Sequence, residues 1–191
     1  MKAILMSIHP KWCEKIFNGN KSIEVRKSVP KLETPFKVYV YQTKHNGGKA
    51  IVSEALNSVY GGGKVIGSFV CDRITCCQAY YGESGEKHLT NLFGDEVKRT
   101  CLTGHEMFDY IVGKDKKEGT GWLWHIAEQK LFDKPRDITE FALYGKCAED
   151  CDEYDFCARD NEDGRMSCKY FKRTFLKRPP QSYCFVETDE R

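Results

Sequence analysis

Several stretches of the chain alternate apolar and polar side chains with the period of a β-strand, which is typical of strands that bury one face. The clearest of these stretches are residues 22–27, 36–41 and 121–126. Ala3 to Ile8 and Val65 to Ile74 are instead almost continuously apolar, which predicts strands that are buried on both faces. The pattern therefore predicts a chain that is rich in β-structure.

Two segments have the apolar spacing of an amphipathic helix. The first begins at Pro10, repeats apolar residues from Trp12 to Phe17 and meets a left-handed stop at Asn18-Gly19. The second runs from Thr103 to Val112, and Glu106 stands three residues after Thr103, as in a capping box. Residues 78–120 otherwise look irregular, and residues 130–141 are predicted to be a connector. Strands mixed with a few helices predict an α+β fold.

A polar stretch, Gly19 to Lys27, joins the first predicted helix to the next strand. The joint places Lys21 at the start of the strand, with Ser22, Glu24 and Arg26 on one face of it. A face of this kind is often only a solvated sheet surface, with weak ion pairs along it. Because four polar groups share one small area beside a glycine turn, we also consider it a candidate binding site.

Three motifs resemble the ASCH domain, a PUA-like β-barrel family. The first is Gly-x-Lys-Ser-Ile-Glu-x-Arg at residues 19–26, the second is residues 121–126, similar to the penultimate strand, and the third is residues 178–183, similar to the last strand. The resemblance implies a single domain over residues 1–191, with a cysteine-rich insert at about residues 144–176. It also implies a mixed β-barrel of five or six strands with two or three flanking helices.

The resemblance implies a cleft between the barrel and a helix that holds RNA, a nucleotide or a modified nucleoside. Binding of single-stranded RNA combines cations with aromatic side chains that stack on bases. The candidate ligand-binding residues are Lys21, Ser22, Glu24, Arg26, Tyr41, Trp122 and Trp124. Sheet-edge or core packing is the alternative role for the three aromatic residues. Binding of RNA or a nucleotide is the first functional hypothesis.

Small bacterial members of the family imply an alternative function, because they are amidohydrolases that remove the acetyl group of N4-acetylcytidine. In those members the residue matching Lys21 works with a nucleophilic threonine three positions later and a distant glutamate. Glu24 occupies the threonine position here and could act as a base on water, with Lys21 stabilising the oxyanion. Spacing does not choose the distant glutamate among Glu83, Glu86 and Glu106.

Four of the ten cysteines lie in a segment with almost no aliphatic residues; they are Cys147, Cys151, Cys157 and Cys168. Because such a segment buries little apolar surface, four thiolates on one metal ion would order it, and zinc suits this ligand set. An iron–sulfur cluster and a solvated, flexible arm are the alternatives. A third functional hypothesis is a protein-interaction adaptor that acts through this segment.

The net charge of +2 and the pI of about 8.0 limit how the chain could hold nucleic acid. A strongly basic protein binds nucleic acid by its overall field, whereas this chain would need a local cationic patch. No segment has the length of a membrane span, and the apolar run at the amino end is too short for a signal peptide. The expected location is therefore cytoplasmic, with most cysteines as thiols.

Overall fold

The computed structural model describes residues 1–44, 62–147 and 173–188, which form nine strands and three α-helices. The strands are β1 (Lys2–Ile8), β2 (Ile23–Arg26), β3 (Phe36–Gln42), β4 (Lys64–Tyr81), β5 (Lys87–Thr90), β6 (Glu118–Arg136), β7 (Ala142–Cys147), β8 (Arg173–Phe175) and β9 (Tyr183–Glu187). The helices are α1 (Pro10–Phe17), α2 (Glu96–Arg99) and α3 (Gly104–Val112), with a 3-10 turn at Ile138–Glu140.

The strands form one mixed sheet in the order β2-β6-β4-β3-β1-β9-β7-β8, and β5 also pairs with β4. The β1–β3 pair is parallel, and the other pairs are antiparallel. The predicted combination of a sheet with a few helices is confirmed. The part of the chain that the structure describes has nine strands rather than five or six, and its pairing is that of an open mixed sheet.

The extra β-structure comes mainly from β4 and β6, which have 18 and 19 residues and pair along most of their length. Strand β4 continues to Tyr81, beyond the predicted end at Ile74, and β6 continues to Arg136, into the predicted connector. Only the last residues of that connector, with the 3-10 turn Ile138–Glu140, join β6 to β7 as predicted. Register shifts between Val65 and Arg73 interrupt the pairing of β4 with β6. Each shift changes which side chains of β4 lie on a given face of the sheet. Residues 78–120, predicted to be irregular, also contain β5 and α2.

Both predicted helices are confirmed. Helix α1 begins at Pro10 and buries Cys13 and Ile16, and Gly19 follows it with φ of +80°, a conformation that favours glycine. Helix α3 begins after Thr103, whose hydroxyl accepts from the Glu106 amide while the Glu106 carboxylate accepts from the Thr103 amide. The capping residues therefore determine where each helix starts or stops.

Apolar side chains pack on both faces of the sheet, in three clusters. The first cluster lies against α1 and includes Met6, Val38, Phe69 and Trp124. The second includes Leu5, Tyr39, Tyr41 and Phe141. The third lies against α3 and includes Ile23, Val25, Phe108 and Ile111. Strand β2 thus turns one face towards the third cluster, and its other face carries the polar residues.

Strands β7 and β8 mark where the chain leaves and re-enters the described structure around the cysteine-rich segment. Cys147 pairs with Arg173 across these strands, which places the two ends of the segment side by side. The segment itself, residues 148–172, lies outside the described residues. Among the residues that are described, no helix is both long and apolar enough to cross a membrane.

Candidate functional site

The β1–α1–β2 unit places Lys21 at the point where helix ends and strand begins. The Lys21 amide donates to the carbonyl of Lys15 over 2.8 Å, so the turn folds back on the last residues of α1. The Ser22 carbonyl then accepts from the Ile126 amide over 2.9 Å, which starts the pairing of β2 with β6. The backbone on both sides of Lys21 is therefore held by hydrogen bonds.

Three charged side chains form a buried group that we call the ionic cluster: Lys21, Glu24 and Arg26. Lys21 Nζ lies 3.3 Å from Glu24 Oε2, and Arg26 Nε lies 3.0 Å from Glu24 Oε1. The exposed fractions of the three side chains are 3%, 8% and 11% in that order. Two cations share one carboxylate, so the cluster carries one net positive charge in a poorly solvated place.

The remaining contacts of the two cations are with neutral groups. Lys21 Nζ donates to the Thr100 carbonyl over 2.7 Å and lies 5.1 Å from the centre of the Trp12 ring. Arg26 Nη2 donates to the Ser7 carbonyl over 2.8 Å. Arg26 Nε is buried and lacks a hydrogen bond of good geometry, although it is close to Glu24. These contacts orient the cations without cancelling their charge.

The charges of Glu24 and Arg26 also affect the pKa values of Cys13, on α1, and Tyr110, on α3. Burial raises the pKa of the Cys13 thiol well above its usual range, and the nearby Glu24 raises it further. Burial also raises the pKa of Tyr110, while Arg26 lowers it and Glu24 raises it. Both groups are neutral at physiological pH, so neither offsets the positive charge and Cys13 is a poor nucleophile.

Ser22 lies beside the ionic cluster in the chain, but its hydrogen bonds are with Arg99. Its hydroxyl accepts from Arg99 Nε over 3.0 Å, and its amide donates to the Arg99 carbonyl over 3.1 Å. These two bonds join the start of β2 to the last residue of α2. The structure therefore brings Lys21, Glu24 and Arg26 together and uses Ser22 to hold the adjacent backbone.

The three aromatic candidates are placed differently. Glu24 and Arg26 lie opposite Trp124 and Trp122 on β6, so both tryptophans share the face of the ionic cluster. Trp124 is completely buried against Phe36, whereas Trp122 is half-buried. Tyr41 is only 5% exposed and packs in the second apolar cluster, so the structure separates it from the ionic cluster. The alternation of β3 correctly predicts that Tyr41 faces away from Val38 and Val40. On that face, however, Tyr41 packs in the second apolar cluster rather than in a binding site.

Trp12 is a further candidate for the site, although its helical spacing on α1 predicts only core packing. It does pack against the first apolar cluster, but it is only half-buried. Its ring lies 4.6 Å from Lys11 Nζ as well as 5.1 Å from Lys21 Nζ. The sequence shows only that an aromatic residue follows a lysine in the first turn of α1. The contact of Trp12 with Lys21 depends on the fold.

The candidate distant glutamates have other partners. Glu86 bonds Ser84 and His88 in the turn between β4 and β5, which also contains the exposed Glu83. Glu106 caps α3, and the bonds from Thr103 lower the pKa of its carboxyl group. These hydrogen bonds of Glu86 and Glu106 therefore hold local structure rather than the ionic cluster.

Glu96 is a buried acid that the sequence analysis missed. It is 4% exposed and faces His125, which is 3% exposed, with His125 Nε2 3.3 Å from Glu96 Oε1. Thr75 Oγ1 lies 3.3 Å from the same carboxylate oxygen and 3.1 Å from His125 Nε2. Arg73 Nη2 lies 3.1 Å from His125 Nδ1. Because arginine can only donate, Nδ1 accepts and the proton of neutral His125 is on Nε2.

The predicted metal site lies almost entirely outside the described residues. Cys151, Cys157 and Cys168 belong to the segment that is not described, and only the backbone of Cys147 is. Within residues 1–44, 62–147 and 173–188, no group of three or more metal-binding side chains converges. The zinc hypothesis therefore stays a prediction from the sequence.

Comparisons with known proteins give structural matches. No family model and no curated protein sequence matches the chain. The ASCH protein of Zymomonas mobilis is similar in structure at 14% identity, with a TM-score of 0.49 over 97% of this chain and 87% of that one. A point variant of that protein matches at 15% identity, with a TM-score of 0.45 over 72% and 77% of the two chains. These similar structures are ASCH domains, the family that the sequence motifs resemble.

Proposed function

We propose that the chain binds RNA or a nucleotide at the ionic cluster, through negatively charged or strongly accepting oxygen atoms of the ligand. The observation that carries this proposal is the net positive charge of Lys21, Glu24 and Arg26 in a place with little solvent. A buried cation without its own counter-ion is unfavourable. An anionic ligand would offset that charge and would accept from Arg26 Nε, which lacks a hydrogen bond.

Aromatic side chains beside the cations favour a nucleotide over a simple anion. Trp12 and Trp122 are both half-buried, and both pack against the first apolar cluster. A base can stack on such a ring while its phosphate meets the cations, which is how proteins commonly hold single-stranded RNA. The overall charge of +2 is too small to hold a duplex by electrostatics alone, so a single nucleotide or a short single strand is the best fit.

The experiment compares Lys21→Met with Lys64→Met, because the two variants lose the same formal charge. Lys64 pairs with Asp137 and is 44% exposed, away from the ionic cluster. We expect Lys21→Met to bind a short single-stranded RNA at least about tenfold more weakly, because a charged hydrogen bond is lost. The slope of log affinity against log salt should fall by about 0.7, as expected for one lost phosphate contact. Lys64→Met should match the parent in both measurements.

The same titrations with cytidine 5′-monophosphate test whether one nucleotide is enough. Thermal unfolding of each variant shows whether Lys21→Met is still folded, and Arg26→Gln provides a second removal of a cluster cation if it is not. Equal affinities of the parent, Lys21→Met and Arg26→Gln would contradict the proposal. A parent that binds neither RNA nor nucleotide would favour the adaptor role of the cysteine-rich segment instead.

Hydrolysis of an acylated nucleoside is the second candidate function, and the contact between Lys21 and Glu24 is the observation that favours it. A carboxylate 3.3 Å from an ammonium group could act as a base on water while the ammonium group stabilises an oxyanion. The hydroxyl of Ser22 is bonded to Arg99, so a hydroxyl nucleophile is less well supported. Arg26 also engages Glu24 from the other side, which is why binding ranks first.

A further inference from the structure

Strand β2 is an edge strand of the sheet that the structure describes, and it carries the ionic cluster. Helix α1 packs in the first apolar cluster and α3 in the third, and these clusters lie on opposite faces of the sheet. Besides burial, the charges of Glu24 and Arg26 shift the pKa of Cys13 on α1. They also act on the pKa of Tyr110 on α3, again after burial. The edge of β2 is therefore flanked by a helix on each side.

Tyr110 and Lys27 form a second pair of an aromatic ring and a cation beside the ionic cluster. Lys27 follows Arg26 directly in the chain, and its Nζ lies 5.4 Å from the centre of the Tyr110 ring. Tyr110 is 41% exposed, and Lys27 is exposed as well. On the side of α1, the half-buried Trp12 ring has the same relation to Lys21. A partly exposed ring next to a cation therefore stands on each side of β2.

The Tyr110 ring is available to a ligand, because it belongs to none of the three apolar clusters. A single exposed aromatic side chain is common and indicates no function by itself. Tyr110, however, is connected with Trp12 through a row of four charged side chains: Lys21, Glu24, Arg26 and Lys27. Neighbours in this row are in contact or adjacent in the chain. Cations between aromatic rings are typical of surfaces that bind single-stranded nucleic acid.

The charges at the edge of β2 favour a phosphate backbone. Four cations and two carboxylates are placed there by their contacts: Lys11, Lys21, Arg26, Lys27, Glu24 and Glu106. Hydrogen bonds from Thr103 lower the pKa of Glu106, and the charge of Lys11 lowers it further, so α1 and α3 begin near each other. Farther along α3, Asp109 pairs with Lys87, and this pair adds no net charge. The excess of cations suits the phosphate groups of a strand.

From this arrangement we infer that the ligand is a single-stranded RNA of two or more nucleotides, which crosses the edge of β2 with one base on Trp12 and a later base on Tyr110. A phosphate between these bases meets Lys21 and Arg26, and the next phosphate meets Lys27. The inference rests on the proposed function and narrows its ligand from a nucleotide to a strand. A mononucleotide reaches the ionic cluster but only one of the two rings.

The test compares the affinity of a short oligocytidylate with that of cytidine 5′-monophosphate, and the ratio of the two affinities is the measured quantity. The parent should bind oligocytidylate at least about tenfold more tightly, because a further base stacks and a further phosphate is bound. In Tyr110→Leu, which keeps an apolar side chain but removes the ring, the ratio should fall at least about fivefold. Tyr80→Leu is the matched control, since Tyr80 is 38% exposed and stacks on His88, and it should keep the parent ratio.

Lys27→Met provides a second variant at an exposed position, in case thermal unfolding shows that Tyr110→Leu is not folded. Its slope of log affinity against log salt for oligocytidylate should fall by about 0.7, whereas Lys64→Met should keep the parent slope. The inference is overturned if folded Tyr110→Leu keeps the parent ratio, if Tyr80→Leu lowers the ratio as much, or if Lys27→Met keeps the parent slope. Those results would leave mononucleotide binding at the ionic cluster intact. A parent that binds neither ligand would defeat the proposed function and the inference together.

Discussion

Replacing Glu24 with glutamine tests the ionic cluster most severely, because it removes the one negative charge that two buried cations share. Glutamine keeps the shape of the side chain, but it has one oxygen and one amide group where the carboxylate has two oxygens. Lys21 and Arg26 now lie 3.3 and 3.0 Å from separate carboxylate oxygens. In the variant at most one cation keeps an oxygen of residue 24 beside it, and the other faces the amide group, although both keep their bonds to the backbone carbonyls of Thr100 and Ser7.

Breaking a buried ion pair by removing one partner usually lowers the free energy of unfolding by about 3–5 kcal/mol, because a buried charge is left without compensation. We expect Glu24→Gln to lie within that range. The assay is urea denaturation with unchanged m-value, which shows that the two-state description still holds. The double variant Glu24→Gln/Arg26→Gln returns the cluster to one net positive charge. It should recover at least about 1 kcal/mol relative to the sum of the single changes.

The matched control is Asp109→Asn, which removes a carboxylate from an exposed pair with Lys87. Exposed ion pairs contribute about 0–1 kcal/mol, so this change should be small. If Glu24→Gln destabilises the protein no more than Asp109→Asn, the cluster behaves as a solvated surface pair. Its positive charge would then provide no driving force for binding an anion.

Three further predictions follow from the capping box, the cysteines and the candidate base. Thr103→Ala should lower the free energy of unfolding by about 1 kcal/mol in urea denaturation, because it removes the capping hydroxyl of α3; no change would contradict the cap. Protein purified without chelator should contain about one zinc per chain by elemental analysis, lost in Cys151→Ala; a disulfide among the four cysteines would exclude the site. If the chain is an amidohydrolase, it should release acetate from N4-acetylcytidine, and Glu24→Gln should abolish this; no release by the parent would exclude that substrate.

Local sequence signals were sufficient for the unit that carries Lys21. Pro10 and Gly19 mark the ends around α1, and the alternation after Lys21 predicts β2 and the shared face of Glu24 and Arg26. The capping box similarly predicted α3. These features depend on residues close together in the chain, so the sequence contains them directly.

Features that depend on distant residues were not predictable. Helix α2 is too short to show a helical period, and Glu96 is buried only because β4 and β6 bring Thr75 and His125 to it. Tyr41 was assigned to the site because its strand alternates, but the sheet has apolar clusters on both faces and the sequence does not reveal which of them receives Tyr41. The length of β6 depends on pairing with β4 rather than on its own pattern.

Nuclear magnetic resonance of the arginine Nε–H groups tests the central claim most directly, since Arg26 Nε is buried beside Glu24 without a hydrogen bond. Two internal references exist in the same spectrum: Arg99 Nε donates to Ser22, and Arg136 Nε donates to Glu140. On titration with cytidine 5′-monophosphate, the Arg26 signal should shift in a saturable manner as it gains an acceptor, and the Arg136 signal should not move. A saturable shift of Arg136 without any change at Arg26, or no shift at all, would contradict nucleotide binding at the ionic cluster.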